Sequence, residues 1–295
     1  MHRQAAHVPL APATTTELKV LVVGNSFSRN ANFYREDLNR DNPRYKLTVA
    51  EAEIGGCSLE KHLNLASINE QNPDAAEGKP YIYNGQSVSL RDMLIAQDWD
   101  VVTIQQVSSL SDDIASYRPY AQELCNYIIK YRPKSEIVVH ETWADRADNP
   151  RLSGKTQLTM YRNLVASYRT IANELGDLRI IPVGSAFQNI RNIWKFQAVP
   201  NLDLEKFKYP DLPSQQKSLC IGWSWDQDQE SGEQNLLYDH HANNAGCLLG
   251  ALVWRETLLG VDSRNSKFCP PEVSQETAEI IRRIAHETVA NGLRP

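Results

Sequence analysis

No stretch of this 295-residue chain approaches the roughly 18 consecutive apolar residues that a membrane-spanning helix needs, so no helical span is expected. Runs of lysine and arginine are also missing: 31 basic residues stand against 36 acidic ones, for a formal net charge of -5. That balance argues against nucleic acid and anionic membrane as partners. Cysteine is sparse. The five (Cys57, Cys125, Cys220, Cys247 and Cys269) are scattered, odd in number and without CxxC spacing. Such a pattern argues against a zinc site and against a full disulfide framework. One bridge stays open, with reduced core thiols the expected state. Residues 1–17 hold Pro, Ala and Thr but no apolar signal core, so a disordered leader, or the remnant of processing, is expected there. Compartment and oligomeric state stay open.

With 41% hydrophobic residues, the chain has ample material for a core. The most telling stretch is Lys19-Val20-Leu21-Val22-Val23-Gly24-Asn25-Ser26-Phe27-Ser28. An unbroken Val/Leu run is the signature of a strand buried on both faces, as in parallel sheets covered by helices. Ligands of such sheets sit at the carboxyl ends of the strands. Ser26 falls there, beside a tight turn at Gly24 and a coming helix with free backbone N–H groups. The plainer alternative is that Ser26 is an N-cap.

Four more strands follow, over 46–54, 100–106, 136–143 and 179–184, where Pro182 suggests a sheet edge. Helices are expected over 32–39, 58–63, 90–97, 117–131, 156–175, 243–259 and 274–291. Asn84-Gly85 marks a tight hairpin within 81–88. Residues 192–237 lack periodicity and read as an irregular insertion or lid. Five β-then-α units without a repeat or linker predict one doubly wound α/β domain over 18–295, a three-layer α/β/α sandwich of flavodoxin-like type with a five-stranded parallel sheet.

A second anchor is Leu237-Tyr238-Asp239-His240-His241-Ala242-Asn243-Asn244-Ala245-Gly246. Serine is a weak nucleophile until a base takes its proton, and an imidazole is a better base when a carboxylate fixes its tautomer. In an extended segment Asp239 and His241 point one way and His240 the other. Two rivals remain: Asp239, His240 and His241 as metal ligands, completed by His140 or Glu141, or plain exposed polarity.

The order Gly24-Asn25-Ser26-Phe27-Ser28, Gly55-Gly56, an amide ending the third strand, and Asp-His before Gly246 resembles the SGNH (GDSL-type) hydrolase superfamily. More narrowly it is similar to a bacterial branch with Gly-Asn-Ser-Phe in the first block, Gln in the third, and His-Glu/Gln-Thr-Trp on the next strand. The likeness covers roughly residues 18–260 in block order. It implies Ser26 as nucleophile and His241 as base, His241 being preferred to His240 for its spacing to Gly246. Asp239 would orient the imidazole. The oxyanion would be held by the N–H of Ser26, the N–H of Gly55 or Gly56, and the Gln105 side-chain amide, donors each worth roughly 3–4 kcal/mol. No metal or cofactor is implied.

Two features depart from the superfamily pattern. Its usual Asp-x-x-His is one residue shorter here, and its third-block Asn is replaced by Gln105-Gln106. Gln105 is favoured as the donor because it leaves the strand first, although strand parity can reverse that. Weaker substrate-binding candidates are Gln106, Glu141, Trp143, His240 and Trp223. Trp143 would stack on a sugar face and Glu141 would bind hydroxyls. Trp223 and Trp225, with Asp226 and Asp228, would wall a carbohydrate cleft or else pin a long loop. For Trp143 and His140 the core is the alternative. His62 and His286 read as helix-surface residues, and Asp226–Glu230 is a faint match to a calcium loop.

The expected reaction is hydrolysis of a carboxylic ester, an O-acyl or O-acetyl group on a carbohydrate, through an acyl-enzyme on Ser26. The partner is thus a small-molecule or carbohydrate ester. The alternatives are a weakly active or inactive carbohydrate-binding protein on the same fold, and a metal-dependent hydrolase using Asp239, His240 and His241.

Overall fold

The computed structural model describes residues 15–194 and 202–292. Most of the expected leader therefore lies outside the described residues, whereas Thr16 and Glu17 already belong to the first strand. That strand, β1 (Thr16–Gly24), lies inside the sheet layer: Val20, Leu21, Val22 and Val23 are each at most 1% exposed. Alternation sends Val20 and Val22 to one face and Leu21 and Val23 to the other, into two separate cores. Burial on both faces explains the unbroken apolar run.

Around β1 lie β2 (Tyr45–Glu53), β5 (Val101–Ile104), β6 (Glu136–His140) and β7 (Ile180–Ile181), with a small hairpin, β3 (Tyr81–Tyr83) and β4 (Gln86–Val88), between. The main sheet has the order β2-β1-β5-β6-β7, and every pairing in it is parallel. The chain steps from β1 to one side and then crosses to the other, so the strand order reverses beside β1. Ligands of doubly wound sheets bind at such a reversal, beyond the carboxyl ends of the strands.

Helices cover both faces: α1 (Ser26–Ala31), α2 (Arg35–Asp41), α3 (Leu59–Gln71), α4 (Leu90–Ile95), α5 (Tyr120–Tyr131), α6 (Gln157–Glu174), α7 (Val183–Trp194), α8 (Asn244–Leu259) and α9 (Gln275–Gly292). None is long and apolar enough to cross a membrane. All five cysteines are free, and four are buried. In the hairpin, Asn84 and Gly85 both take positive φ (49° and 77°), as a two-residue turn matched to strand twist requires.

Several elements differ from the sequence expectation. The helix expected over 32–39 begins only at Arg35, as α2, and a separate helix, α1, precedes it and is closed by the Asn32 side-chain amide on the Ser28 carbonyl (2.9 Å). Helix α3 runs on past the expected 63 to Gln71, and α7 has no counterpart among the expected helices. The fifth strand is only two residues long. Pro182 removes a ladder donor, and the Glu141 carboxylate accepts from Ser185 N–H (2.6 Å) to start α7 at once. Finally, 192–237 is not irregular throughout. Residues 195–201 lie outside the described residues, but β8 (Cys220–Gln227) pairs antiparallel with β9 (Gln234–Ala242) as a ribbon. At its tip Asp228 Oδ1 accepts from the N–H groups of Glu230 and Ser231 and from Ser231 Oγ. The faint calcium-loop pattern is thus turn chemistry.

Candidate active site

Helix α1 starts at Ser26, and the cap is Asn25, whose Oδ1 accepts from Phe27 N–H (3.1 Å). Ser26 is therefore not the N-cap that the plainer reading makes it. It occupies the first helical position, where the backbone N–H has no intrahelical partner. Its hydroxyl meets β9. Ser26 Oγ lies 2.7 Å from His241 Nε2, and His241 Nδ1 lies 2.6 Å from Asp239 Oδ1. The same Asp239 oxygen accepts from His241 N–H (2.8 Å).

The short Asp-His spacing has a direct geometric basis. On an extended strand, residues two apart share a face, so Asp239 and His241 meet; His240 leaves the strand between them, with its ring edge-on to that of His241 (4.8 Å). A carboxylate only accepts, which puts the imidazole proton on Nδ1 and leaves Nε2 to accept from Ser26 Oγ–H. The ribbon is tied to α1 by Ala242 N–H on Asn30 Oδ1 (3.1 Å) and to the body by Trp143 Nε1–H on the His240 carbonyl (3.2 Å).

Gly55 and Gly56 follow β2 on the same rim and are exposed. Gly56 takes φ +63°, a conformation that suits glycine. The N–H groups of Ser26, Gly55 and Gly56 have no acceptor among the described residues. Nearby, Glu53 ends β2 and pairs with Arg29 (3.1 Å). Its carboxyl sits above the usual range because of burial, an effect eased by Arg29 and reinforced by Glu51.

Other sequence candidates lie elsewhere than expected. Gln105 is not turned toward Ser26: its Nε2 donates to Asn25 Oδ1 (2.6 Å) and its Oε1 accepts from His140 Nδ1 (2.6 Å). The extra methylene lets this amide reach Asn25, the residue before Ser26, instead of the space above Ser26. Gln106 is fully buried and structural. Its Oε1 accepts from Leu59 and Val107 N–H, and its Nε2 donates to Ser116. Glu141 lines a separate cavity of about 670 Å³ with Tyr161, Ser185 and Asn189.

Trp143 is 0% exposed and stacked between Phe27 (4.1 Å) and Phe187 (4.5 Å), so it has no face for a sugar. Trp223 is also buried, its indole N–H on Asp148 Oδ2 (2.9 Å). That carboxylate pairs with Arg146 (2.7 Å), which also reaches Gln215 Oε1 and the Ser214 carbonyl and so secures the segment leading into β8. Trp225 pins the loop at the Asp211 carbonyl (3.0 Å).

His240 packs edge-on against Phe27 and stands 3.8 Å from Asp145. Burial, reinforced by the neighbouring His241, pushes its imidazole down to about 4. His62 is no surface residue: it is 0% exposed, with Nε2 on the Gly24 carbonyl (3.0 Å) and Nδ1 on Tyr81 Oη (2.8 Å). His286 is half-buried on Glu256 (2.7 Å).

Among the described residues, the one trio with ligand atoms within 4.8 Å of one another is Glu256, Asp262 and His286. There Arg264 already occupies Asp262. Asp239, His240 and His241 form no such trio among the described residues: the two rings touch edge-on (centroids 4.8 Å), but the ring nitrogens of His241 are engaged with Asp239 and Ser26. The sequence reading overlooked Asn30, and it weighed His140 as a metal ligand or a core residue and Asn25 as part of the first block without seeing either as a partner of Gln105.

Fold and site together define a class: a doubly wound α/β protein with serine, histidine and aspartate in hydrogen-bond succession at the sheet's carboxyl edge. Within it, the chain belongs to the DUF4886 family, described as a domain of unknown function, whose profile matches residues 19–197. No curated protein matches the chain. A DUF4886 family protein from Bacteroides uniformis is similar at 25% identity and TM-score 0.69, over 93% of this chain and 95% of that one. A protein classed as an SGNH hydrolase from Slackia heliotrinireducens aligns at 19% identity and TM-score 0.49, over 82% and 100%. An acetylxylan esterase from Geobacillus stearothermophilus aligns at 13% identity and TM-score 0.36, over 61% and 82%.

Proposed function

We propose that this protein is a serine hydrolase that cleaves a carboxylic ester through an acyl-enzyme on Ser26. The observation that carries the reading is the continuous chain Asp239 Oδ1, His241 Nδ1, His241 Nε2, Ser26 Oγ, with both contacts at hydrogen-bond length. His241 takes the hydroxyl proton as Ser26 Oγ attacks the ester carbon, and Asp239 steadies the imidazolium that forms. The oxyanion faces the N–H of Ser26 and the N–H of Gly55 or Gly56. His241 then gives its proton to the leaving alkoxide, and water, activated by the same imidazole, releases the acid.

A carbohydrate alcohol would make the substrate an O-acyl or O-acetyl saccharide. The burial of Trp143 and Trp223 removes the aromatic support for that part, so the proposal rests on the ester alone. Against the metal-hydrolase alternative, both ring nitrogens of His241 are engaged with Asp239 and Ser26, and the ligand atoms of Asp239, His240 and His241 do not converge as a trio among the described residues.

The test is hydrolysis of p-nitrophenyl acetate together with labelling by a fluorophosphonate probe. The reading requires turnover, and a label that mass spectrometry locates on Ser26. An unlabelled, inactive protein that is folded would overturn it in favour of a binding role.

A further inference from the structure

His140 is a puzzle if the core is judged by packing alone. It is 0% exposed, its Nε2 has no hydrogen-bond partner, and it lies edge-on to Trp254 (5.2 Å). An unpaired buried polar group costs about 1–3 kcal/mol. An apolar residue of similar shape would avoid that cost, so the ring's single hydrogen bond is the feature that distinguishes it. That bond goes to Gln105 Oε1 (2.6 Å).

From His140 the hydrogen bonds run in one direction. A carbonyl oxygen only accepts, so His140 Nδ1 carries the proton and donates. Gln105 must then present Nε2 to Asn25 Oδ1 (2.6 Å). Asn25 Oδ1 also accepts from Phe27 N–H (3.1 Å), and Asn25 Nδ2 donates to the Cys57 carbonyl (3.0 Å). The last bond matters most. It joins the start of α1, which carries the Ser26 N–H, to the turn that carries Gly55 and Gly56. Turning the Gln105 amide over would set its oxygen against the oxygen of Asn25, whose side chain the Phe27 N–H and the Cys57 carbonyl hold in place, so the series requires a donor at position 140 to satisfy Gln105 Oε1. Gly24 leaves the room for it: a Cβ there would stand 3.1 Å from Gln105 Cδ and 2.6 Å from Ser28 Oγ.

We propose that His140 and Gln105 are positioning residues: acting through Asn25, they set the spacing between the Ser26 N–H and the Gly55-Gly56 turn, the two sides of the oxyanion site. The functional half of this inference rests on the serine-hydrolase reading, while the geometric half does not.

Two measurements separate them. Steady-state hydrolysis of p-nitrophenyl acetate is compared for wild type, His140→Leu and His140→Asn, with hydrogen–deuterium exchange followed in the peptide spanning 54–58. Asn offers Nδ2 close to where the imidazole offers Nδ1; Leu offers no donor. For His140→Leu, kcat falls by about 10- to 100-fold at little-changed KM, short of the 10²–10³ lost when an oxyanion donor is removed outright. Exchange at 54–58 accelerates. His140→Asn recovers both. If His140→Leu does not fold, Gln105→Glu serves instead, since a carboxylate accepts from His140 but has no donor for Asn25.

Unchanged kcat and unchanged exchange in a folded His140→Leu protein overturn the proposal. So does a loss of melting temperature with kcat per folded molecule intact, which is what a purely structural role gives. If wild type shows no Ser26-dependent turnover yet exchange at 54–58 still responds, the hydrolase reading fails and the geometric tie stands.

Discussion

Ser26 Oγ and His241 Nε2 stand 2.7 Å apart although 215 positions separate them in sequence. The contact is made by two elements of different kinds. Ser26 opens α1 two residues after β1, a strand buried on both faces inside the sheet. His241 arrives on β9, a ribbon strand outside the main sheet, and its position depends on side-chain ties at Asn30 and Trp143. The buried half and the tied half answer differently to substitution.

Ser26→Ala tests the buried half. Asn25 supplies the cap, and the only side-chain bond lost is the one to His241, so stability changes by less than about 1 kcal/mol. Turnover of p-nitrophenyl acetate falls by about 10⁴-fold or more. Urea unfolding and initial rates on one preparation check both. A loss of folding as large as the loss of rate would make Ser26 a structural residue.

Asp239→Asn tests the orienting carboxylate. An amide can turn its NH₂ toward Nδ1, which stabilises the tautomer that cannot take the Ser26 proton. In a triad of this kind the loss in kcat is about 10²- to 10⁴-fold, with KM little affected. A fall below about threefold would pass the orienting role to another acid; Glu53, whose carboxyl feels His241 electrostatically, is the next in line.

Much of this was legible in the sequence. The unbroken Val20–Val23 run fixes a central strand because no other common element buries both faces of so short a segment. Alternation in an extended segment already places Asp239 and His241 on one side. What local pattern cannot carry is the aim of a long side chain. Gln105 and Gln106 both leave β5, and only the neighbours that reach them, His140 and Asn25 for one and Ser116 and Leu59 for the other, settle where their amides go. Trp143 reads equally well as a sugar platform or as core until Phe27 and Phe187 close on its two faces. The β8–β9 ribbon was hidden because its exposed Gln, Asn and Asp positions at the tip blur the period of two.

Trp143 tests the tied half. Trp143→Ala empties the stack between Phe27 and Phe187 and costs about 3–5 kcal/mol of stability. Trp143→Phe keeps a ring in the stack but loses the N–H donated to the His240 carbonyl, at about 1 kcal/mol. Because that bond holds β9 to the segment after β6, whose Trp143 stacks on Phe27 of α1, the Phe variant also lowers kcat while remaining folded. Melting temperature and kcat measured together separate the two effects, and a Phe variant with wild-type kcat would show that the ribbon needs no such tie.

Glu141 gives the pH-dependent prediction. Burial pushes its carboxyl up to about 7 from 4.5, against the pull of its Ser185 hydrogen bonds and Arg169. A carboxyl with a raised folded pKa binds its proton more tightly in the native state. Its contribution is therefore complete below about 4.5 and is lost as pH rises through about 7. His62 and His140 work in the opposite sense. Burial lowers them to about 4 and about 3, so their contribution is complete above the usual imidazole value and is lost on acidification. The opposed slopes partly cancel between pH 5 and 7 in the wild type, and a substitution is needed to see either alone. Glu141→Gln keeps an acceptor for Ser185 N–H and removes the titration. Relative to wild type, it gains stability by about 2.5 kcal/mol between pH 5 and pH 8. Urea unfolding of the two proteins at both pH values measures that difference. A gap that stays constant with pH would mean that Glu141 ionises in the folded protein as it does in the unfolded chain.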